Sequence, residues 1–290
     1  MSDKMLNISG FLSVCNFLQE LFVKKGINQE RKQMKKLGII LVVAFVVLVF
    51  VAGFFTYFDR STIRQVSEAE ITRTIHPREF HKIDVRAACD VEFVQGNTTT
   101  VRVQGTKNQV DNLALSVEDG TLMVRDKDLR FYLSRNSSHS VRLLVSSPDL
   151  TDVVMRGPGD FESLRRLDTD VLHITLNGNG DIHLADVICD QAHFEMNGSG
   201  DIEFDRLECQ ESSIRLAGSG DVDAKLVNVD KSTVELFGAG DISVDFLHCG
   251  YANCRLFGAG DITLTGDLKR LDKDVKGAGD FSVDALNLQQ

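Results

Sequence analysis

Tryptophan is absent from this chain, and proline and tyrosine occur only three times each in 290 residues. None of its six cysteines stands in a Cys-x-x-Cys pair, and so few in a chain this long argue against a disulfide scaffold. A basic surplus is missing too. Residues 59–290 carry 25 basic and 39 acidic side chains, a formal charge of −14. Such a surface repels phosphate backbones, so nucleic acid is not an expected partner, whereas cations, basic proteins and neutral glycans remain. What the chain has in abundance is Val, Ile, Phe, Gly and Asp, a mix suited to strands and turns. A hydrophobic share of 43% is enough for a sizeable core.

Residues 37–58, LGIILVVAFVVLVFVAGFFTYF, lack any charge. A helix of this length spans ~33 Å, matching the ~30 Å hydrocarbon core of a bilayer. Tyr57 sits at the far end, and lysines crowd the near end. The positive-inside rule then keeps the N-terminus in the cytoplasm and exports everything after Asp59. With no lipobox cysteine and no small-x-small cleavage site, the run reads as an uncleaved signal anchor of a single-pass protein of the cell membrane. Residues 1–36 have two readings. Phe11, Leu12, Val14, Phe17, Leu18, Leu21 and Phe22 recur at helical spacing before a basic stretch, as in an amphipathic helix lying on the inner membrane surface. Alternatively, translation starts at Met34, and Met34-Lys35-Lys36 with the apolar run forms the n- and h-regions of an export signal. Residues 59–70 are polar and read as a linker.

Residues 71–150 hold short alternating runs, such as Lys82–Arg86, Asp90–Val94 and Val141–Val145, separated by turn residues. They are expected to form a β-rich N-terminal part that shields the first coil of a solenoid. From 151 to 290 a repeat takes over. Gly-x-Gly-Asp occurs seven times, with aspartates at Asp160, Asp181, Asp201, Asp221, Asp241, Asp261 and Asp280. A period near 20 residues marks a solenoid. Counting from each aspartate, apolar residues recur at −7 and −5, at +1 and +3, and at +6 and +8, always with period two. The expected fold is all-β: a parallel β-helix with two or three strands per coil and ~4.8 Å between coils.

The motif glycines, among them Gly178, Gly180, Gly198, Gly200, Gly218, Gly220, Gly238, Gly240, Gly258 and Gly260, suit a corner that needs positive φ or tight packing on its neighbours. The aspartates are harder to place. Carboxylates ~4.8 Å apart repel by roughly 1 kcal/mol even at the dielectric constant of water. Turn N–H groups could offset this in an Asx-type turn. Alternatively, Ca²⁺ could bridge Asp181, Asp201, Asp221, Asp241 and Asp261. Calcium-binding β-roll repeats, however, have a nine-residue period and a residue between Gly and Asp, and this chain departs from both. No resident cofactor is otherwise expected.

Phe80, Ile83, Val85, Asp90, Val91, Phe93, Gln95, Gly96, Val101, Val103 and Gly105, together with the GxGDI repeats, resemble the DUF2807 family, also called the auto-transporter adhesin head GIN domain and common in Bacteroidetes. The resemblance covers about residues 71–285. It implies a β-helical fold, a cell-envelope location and no catalytic residues.

Phe237 and Phe257 share the −4 column, where alternation points outward, and are the candidate ligand-binding pair for a sugar or a partner protein. His173 and His193 share the −8 column, with His183 between them in sequence, and Cys189, Cys209, Val229 and Cys249 share an inward one. No carboxylate or base stands apart from the repeat as a catalytic group, so an enzyme is not expected. The chain reads as a membrane-anchored envelope protein with an adhesin-like binding or scaffold domain. The alternative is a non-adhesive structural or regulatory role with a cytoplasmic N-terminal segment.

Overall fold

Period-two alternation turns one face of a strand inward, and nineteen such strands appear among the described residues. The computed structural model describes residues 70–128 and 141–289. The segments expected at 1–36 and 37–58 lie outside the described residues. Among the described residues no helix is long and apolar enough to cross a membrane.

The first elements are β1 (Glu70–Ile75), β2 (Lys82–Val85), β3 (Cys89–Gln95), β4 (Thr100–Thr106), α1 (Lys107–Asn112), β5 (Leu113–Glu118), β6 (Thr121–Asp126) and β7 (Val141–Ser147). The repeat region then contributes β8 (Asp152–Met155), β9 (Phe161–Asp168), β10 (Val171–Leu176), β11 (Ile182–Ile188), β12 (Gln191–Met196) and β13 (Ile202–Glu208). After them come β14 (Glu211–Leu216), β15 (Val222–Val227), β16 (Lys231–Leu236), β17 (Ile242–Leu256), β18 (Ile262–Val275) and β19 (Phe281–Leu288).

Two parallel ladders result, and together they enclose one core. One runs β6–β2–β8–β10–β12–β14–β16 and on into the second halves of β17 and β18. The other runs β7–β3–β9–β11–β13–β15 through the first halves of β17 and β18 to β19. Each Gly-x-Gly-Asp sits at the corner where a coil passes from the first ladder to the second. This is the parallel β-helix that the period implies.

A coil uses two strands. The apolar sets at +1/+3 and +6/+8 belong to a single strand whose phase slips in the middle. The slip falls between Leu184 and Asp186, and again between Phe204 and Leu207, and it lets Val187 and Leu207 point inward. Phe93, Phe161, Phe204 and Phe246 are fully buried, each worth about 1.5–3 kcal/mol of apolar burial. The Cys189–Cys209–Val229–Cys249 column is buried as expected. Burial pushes the Cys249 thiol up and the Cys254 thiol up to about 12, so both behave as small hydrophobes.

Residues 71–150 do more than shield an end. β2 and β3 lie directly under β8 and β9 in the same columns, and β6 and β7 lie under them in turn, so axial order departs from chain order. Beyond this lowest coil the pairing becomes antiparallel: β5 on β6, β4 on β7, and β1 on β4. These strands occupy edges that another coil, or another chain, would otherwise join. α1 links β4 to β5 and starts with a capping box between Thr106 and Gln109.

The corners explain the glycines. A Cβ on Gly220 would stand 1.9 Å from the carbonyl oxygen of Gly200, and motif glycines from Gly178 to Gly279 repeat this clash at 1.9–2.1 Å. Positive φ is not the reason, since among the described residues the glycines with positive φ are Gly120 and Gly266. Corner amides donate to the coil beneath, Ser219 N to Gly198 O at 3.0 Å and Gly218 N to Met196 O at 3.2 Å, which leaves no volume for a side chain. Glycine is required in the upper coil of each pair. Ala87 and Cys89, under Gly157 and Gly159, keep their side chains. Gly220→Ala should therefore cost about 3 kcal/mol in urea unfolding of the full chain, whereas Ser219→Ala, at an exposed corner position, should change stability by less than ~0.5 kcal/mol.

Candidate functional site

The aspartate ladder is a chain of hydrogen bonds between coils. The backbone N–H of Asp181 donates to Asp160 Oδ1 at 2.9 Å, Asp201 to Asp181 at 2.9 Å, and Asp221 to Asp201 at 2.8 Å. Asp241 donates to Asp221 at 2.8 Å, Asp261 to Asp241 at 2.7 Å, and Asp280 to Asp261 at 2.7 Å. Each carboxylate thus fastens the corner above it instead of closing an Asx turn in its own coil. Asp90 is the foot of the ladder, accepting from Asp160 N at 3.3 Å. A hydrogen bond to a charged acceptor is worth about 1.5–3 kcal/mol, enough to offset the repulsion between neighbours. The carboxylates stand in line, one per coil, and among the described residues no three of them converge.

Phe237 and Phe257 are 40% and 37% exposed and stack at 5.1 Å between ring centres, 17° from parallel. Arg215, one coil below, lies 4.2 Å from the centre of Phe237, and Lys276, one coil above, places its Nζ 5.4 Å from the centre of Phe257. Both outer faces of the stack are thus covered by cations, each contact worth ~0.5–1 kcal/mol when exposed. A sugar docks on a free aromatic face. Here the faces are taken, and solvent meets ring edges. Arg215 and Arg255 also share Glu235, at 3.2 and 3.1 Å, which holds a third cation beside the ridge. The C-terminal strand does not cross the rings, because β19 stacks on the first half of β18 in the other ladder. Arg215 lies two positions before the phenylalanine column, so a count of single columns misses it; pairing −6 with −4 on one face finds it.

His173 and His193 stack at 4.8 Å, 10° from parallel, on β10 and β12, while His183 lies in the opposite ladder; the three histidines do not converge. Burial, and then the neighbouring His173, hold His193 below its ordinary pKa, with Glu211 pulling the other way. Gln95 ties the end of β3 to two other segments. Its amide donates to Pro148 O at 3.0 Å and Asp168 O at 2.7 Å, and its oxygen accepts from Asp168 N at 2.8 Å.

A family model described as "Putative auto-transporter adhesin, head GIN domain" (DUF2807) matches residues 79–248. The chain belongs to this family. The match starts in the coil of β2 and β3, which places the Asp90 foot of the ladder inside the family domain. Several solved structures share the fold. A protein from Bacteroides fragilis titled a putative adhesin is 22% identical with a TM-score of 0.67, covering 74% of this chain and 97% of that one. A Parabacteroides distasonis protein titled a putative lipid binding protein is 21% identical with a TM-score of 0.59, covering 74% and 97%. A protein from Parabacteroides merdae, titled a putative adhesin, is 19% identical with a TM-score of 0.56, covering 74% and 96%. At these identities the likeness speaks for the fold alone. No curated protein matches the sequence.

Two measurements test this geometry. Asp221→Ala leaves Asp241 N–H without its acceptor and should cost about 1 kcal/mol, whereas Asp221→Asn keeps an acceptor and should cost less than half of that in the same unfolding assay. For His193, the folded pKa lies below the unfolded one, so the unfolded chain binds the proton first as pH falls. Stability should decline from pH 7 to 5, and His193→Gln should flatten part of that decline in thermal melts.

Proposed function

We propose that this family member is an adhesin-like envelope protein, held at the membrane through residues 37–58, whose exported β-helix binds a surface partner along the Phe237–Phe257 ridge. Membership of the adhesin-head family supports the general role. The observation that carries the site is the ridge itself. Two large apolar side chains stand side by side in the open, locked in place by their own cations, while the exposed Leu164, Val275 and Leu288 lie elsewhere on the chain. Rigid aromatic anchors lose little side-chain freedom on binding and commonly dominate interface energies.

The chemistry of the ridge selects its partner. Arg215, Arg255 and Lys276 set three cations beside the rings, held there by Glu235 and Asp274, on a protein whose residues 59–290 carry a formal charge of −14. Ring edges with cationic flanks suit a protein surface with apolar and acidic groups better than the flat face of a sugar. Cells displaying the full chain should adhere to surfaces coated with acidic proteins more than to glycan-coated ones. Phe237→Ser with Phe257→Ser should reduce that adhesion at least tenfold without lowering the melting temperature. Undiminished adhesion would remove the ridge as the site. If the double variant melts early, Phe257→Leu, which keeps the volume apolar but loses the stack, decides instead.

A further inference from the structure

The outer face of the β11–β13 pair carries an arrangement that neither the corner nor the ridge explains. In-register stacking places Glu162, His183, Glu203 and Asp223 in one outward column. Asp205 stands two residues beyond Glu203 on the same face. Elsewhere on this surface neighbouring coils alternate in sign. Arg166 and Arg206 clasp Asp186, and Glu195, Arg215, Glu235, Arg255 and Asp274 alternate down a whole column. The Glu162–Asp223 column has no such relief. Among the described residues no lysine or arginine forms an ion pair with Glu162, Glu203, Asp205 or Asp223, and the one basic group among them is His183.

His183 is itself incompletely served. Its Nε2 is enclosed and hydrogen-bonds to nothing, although Asp205 Oδ2 stands 3.2 Å away at an angle that makes no hydrogen bond. One nitrogen of His183 and one oxygen each of Glu203 and Asp205 lie within 4.8 Å of one another. Bonds of ~2.0 Å to zinc require ligand atoms about 3.3 Å apart across a tetrahedron. The two carboxylates are exposed and free to close the difference by small rotations. An enclosed imidazole nitrogen near two carboxylates, in a column short of positive charge, is a donor set that suits a divalent cation.

We propose that His183, Glu203 and Asp205 bind one divalent transition-metal ion, with zinc as the type, on the outer face of the β11–β13 pair. Imidazole suits such ions, whereas calcium prefers oxygen alone. Water completes the coordination, because three protein ligands leave a position open. The ion neutralises the two β13 carboxylates and, through His183 on β11, clamps neighbouring coils together. Glu162 and Asp223 flank it and raise the local negative potential that draws it in.

The test is calorimetric titration of the chelator-treated full chain with ZnCl₂, repeated with CoCl₂ to read the visible absorption of the bound ion. Wild type should take up a zinc equivalent that raises the melting temperature, and cobalt should give d–d bands. His183→Ala should abolish that equivalent, Glu203→Gln and Asp205→Asn should weaken it at least tenfold, and His173→Asn should leave it intact. Absence of binding to wild type, or an equivalent that survives His183→Ala, overturns the proposal, as does a site that prefers CaCl₂. If His183→Ala perturbs the fold, the near-isosteric Glu203→Gln decides.

Discussion

Two backbones held at hydrogen-bonding distance around a corner leave no room for a Cβ, and most of this structure depends on that contact. The carbonyl of Gly200 fills the volume that a side chain on Gly220 would need. Once the corner is locked coil to coil, the strands on either side have no freedom of register. Ile182 must pair with Ile202, and Ile174 with Phe194. Register therefore needs no separate device along the strands. It is set at the corner and carried outward as far as the mid-strand bulges, such as those after Phe204 and Phe246.

Fixed register has a consequence for everything outside the core: like positions become neighbours ~4.8 Å apart. A column must then be self-complementary. Asn197 donates to Asn177 at 3.1 Å, and Ser212 to Ser232 at 3.0 Å, pairs that work because amides and hydroxyls are both donors and acceptors. Phenylalanine stacks on phenylalanine. Charged columns alternate, as Glu195, Arg215, Glu235, Arg255 and Asp274 do. Aspartate at the corner, like the Glu162–Asp223 column, does not alternate in charge. It is tolerated because each carboxylate from Asp160 to Asp261 finds the next coil's N–H within 2.7–2.9 Å.

Much of this was legible in the sequence, for a physical reason: period-two burial and a 20-residue repeat leave direct marks on residue order. Five things were not. The phase slip between Phe204 and Leu207 made one strand look like two, because alternation alone cannot tell a turn from a bulge. The inverted axial order of β6 and β2 left no trace, since both coils lack the glycine motif. The glycines themselves admitted two explanations, positive φ or close approach, and only the position of the neighbouring carbonyl separates them. The aspartate's partner was hidden in the same way. A local turn bond and a bond to the next coil place the same demand on the residue type. At the ridge, Phe237 and Phe257 were readable as outward neighbours, but the cations that occupy their faces come from other coils.

The same column rule bears on where a partner can bind. One end of the helix is closed by antiparallel strands β1, β4 and β5. In the second half of β18, the outermost strand of its ladder among the described residues, Arg270, Asp272, Lys273 and Asp274 come in close succession, a mixture of charge that discourages strand addition. Recognition by edge pairing is thus restrained at the closed end and along the second half of β18, while the lateral columns are free to vary. Changing a corner glycine or aspartate disturbs the backbone contact between coils, whereas changing Phe237 disturbs side-chain contacts with Arg215 and Phe257. A surface that must change without losing its fold can do so only in such columns, so the repeated motif specifies the scaffold and leaves its least repetitive columns free to vary.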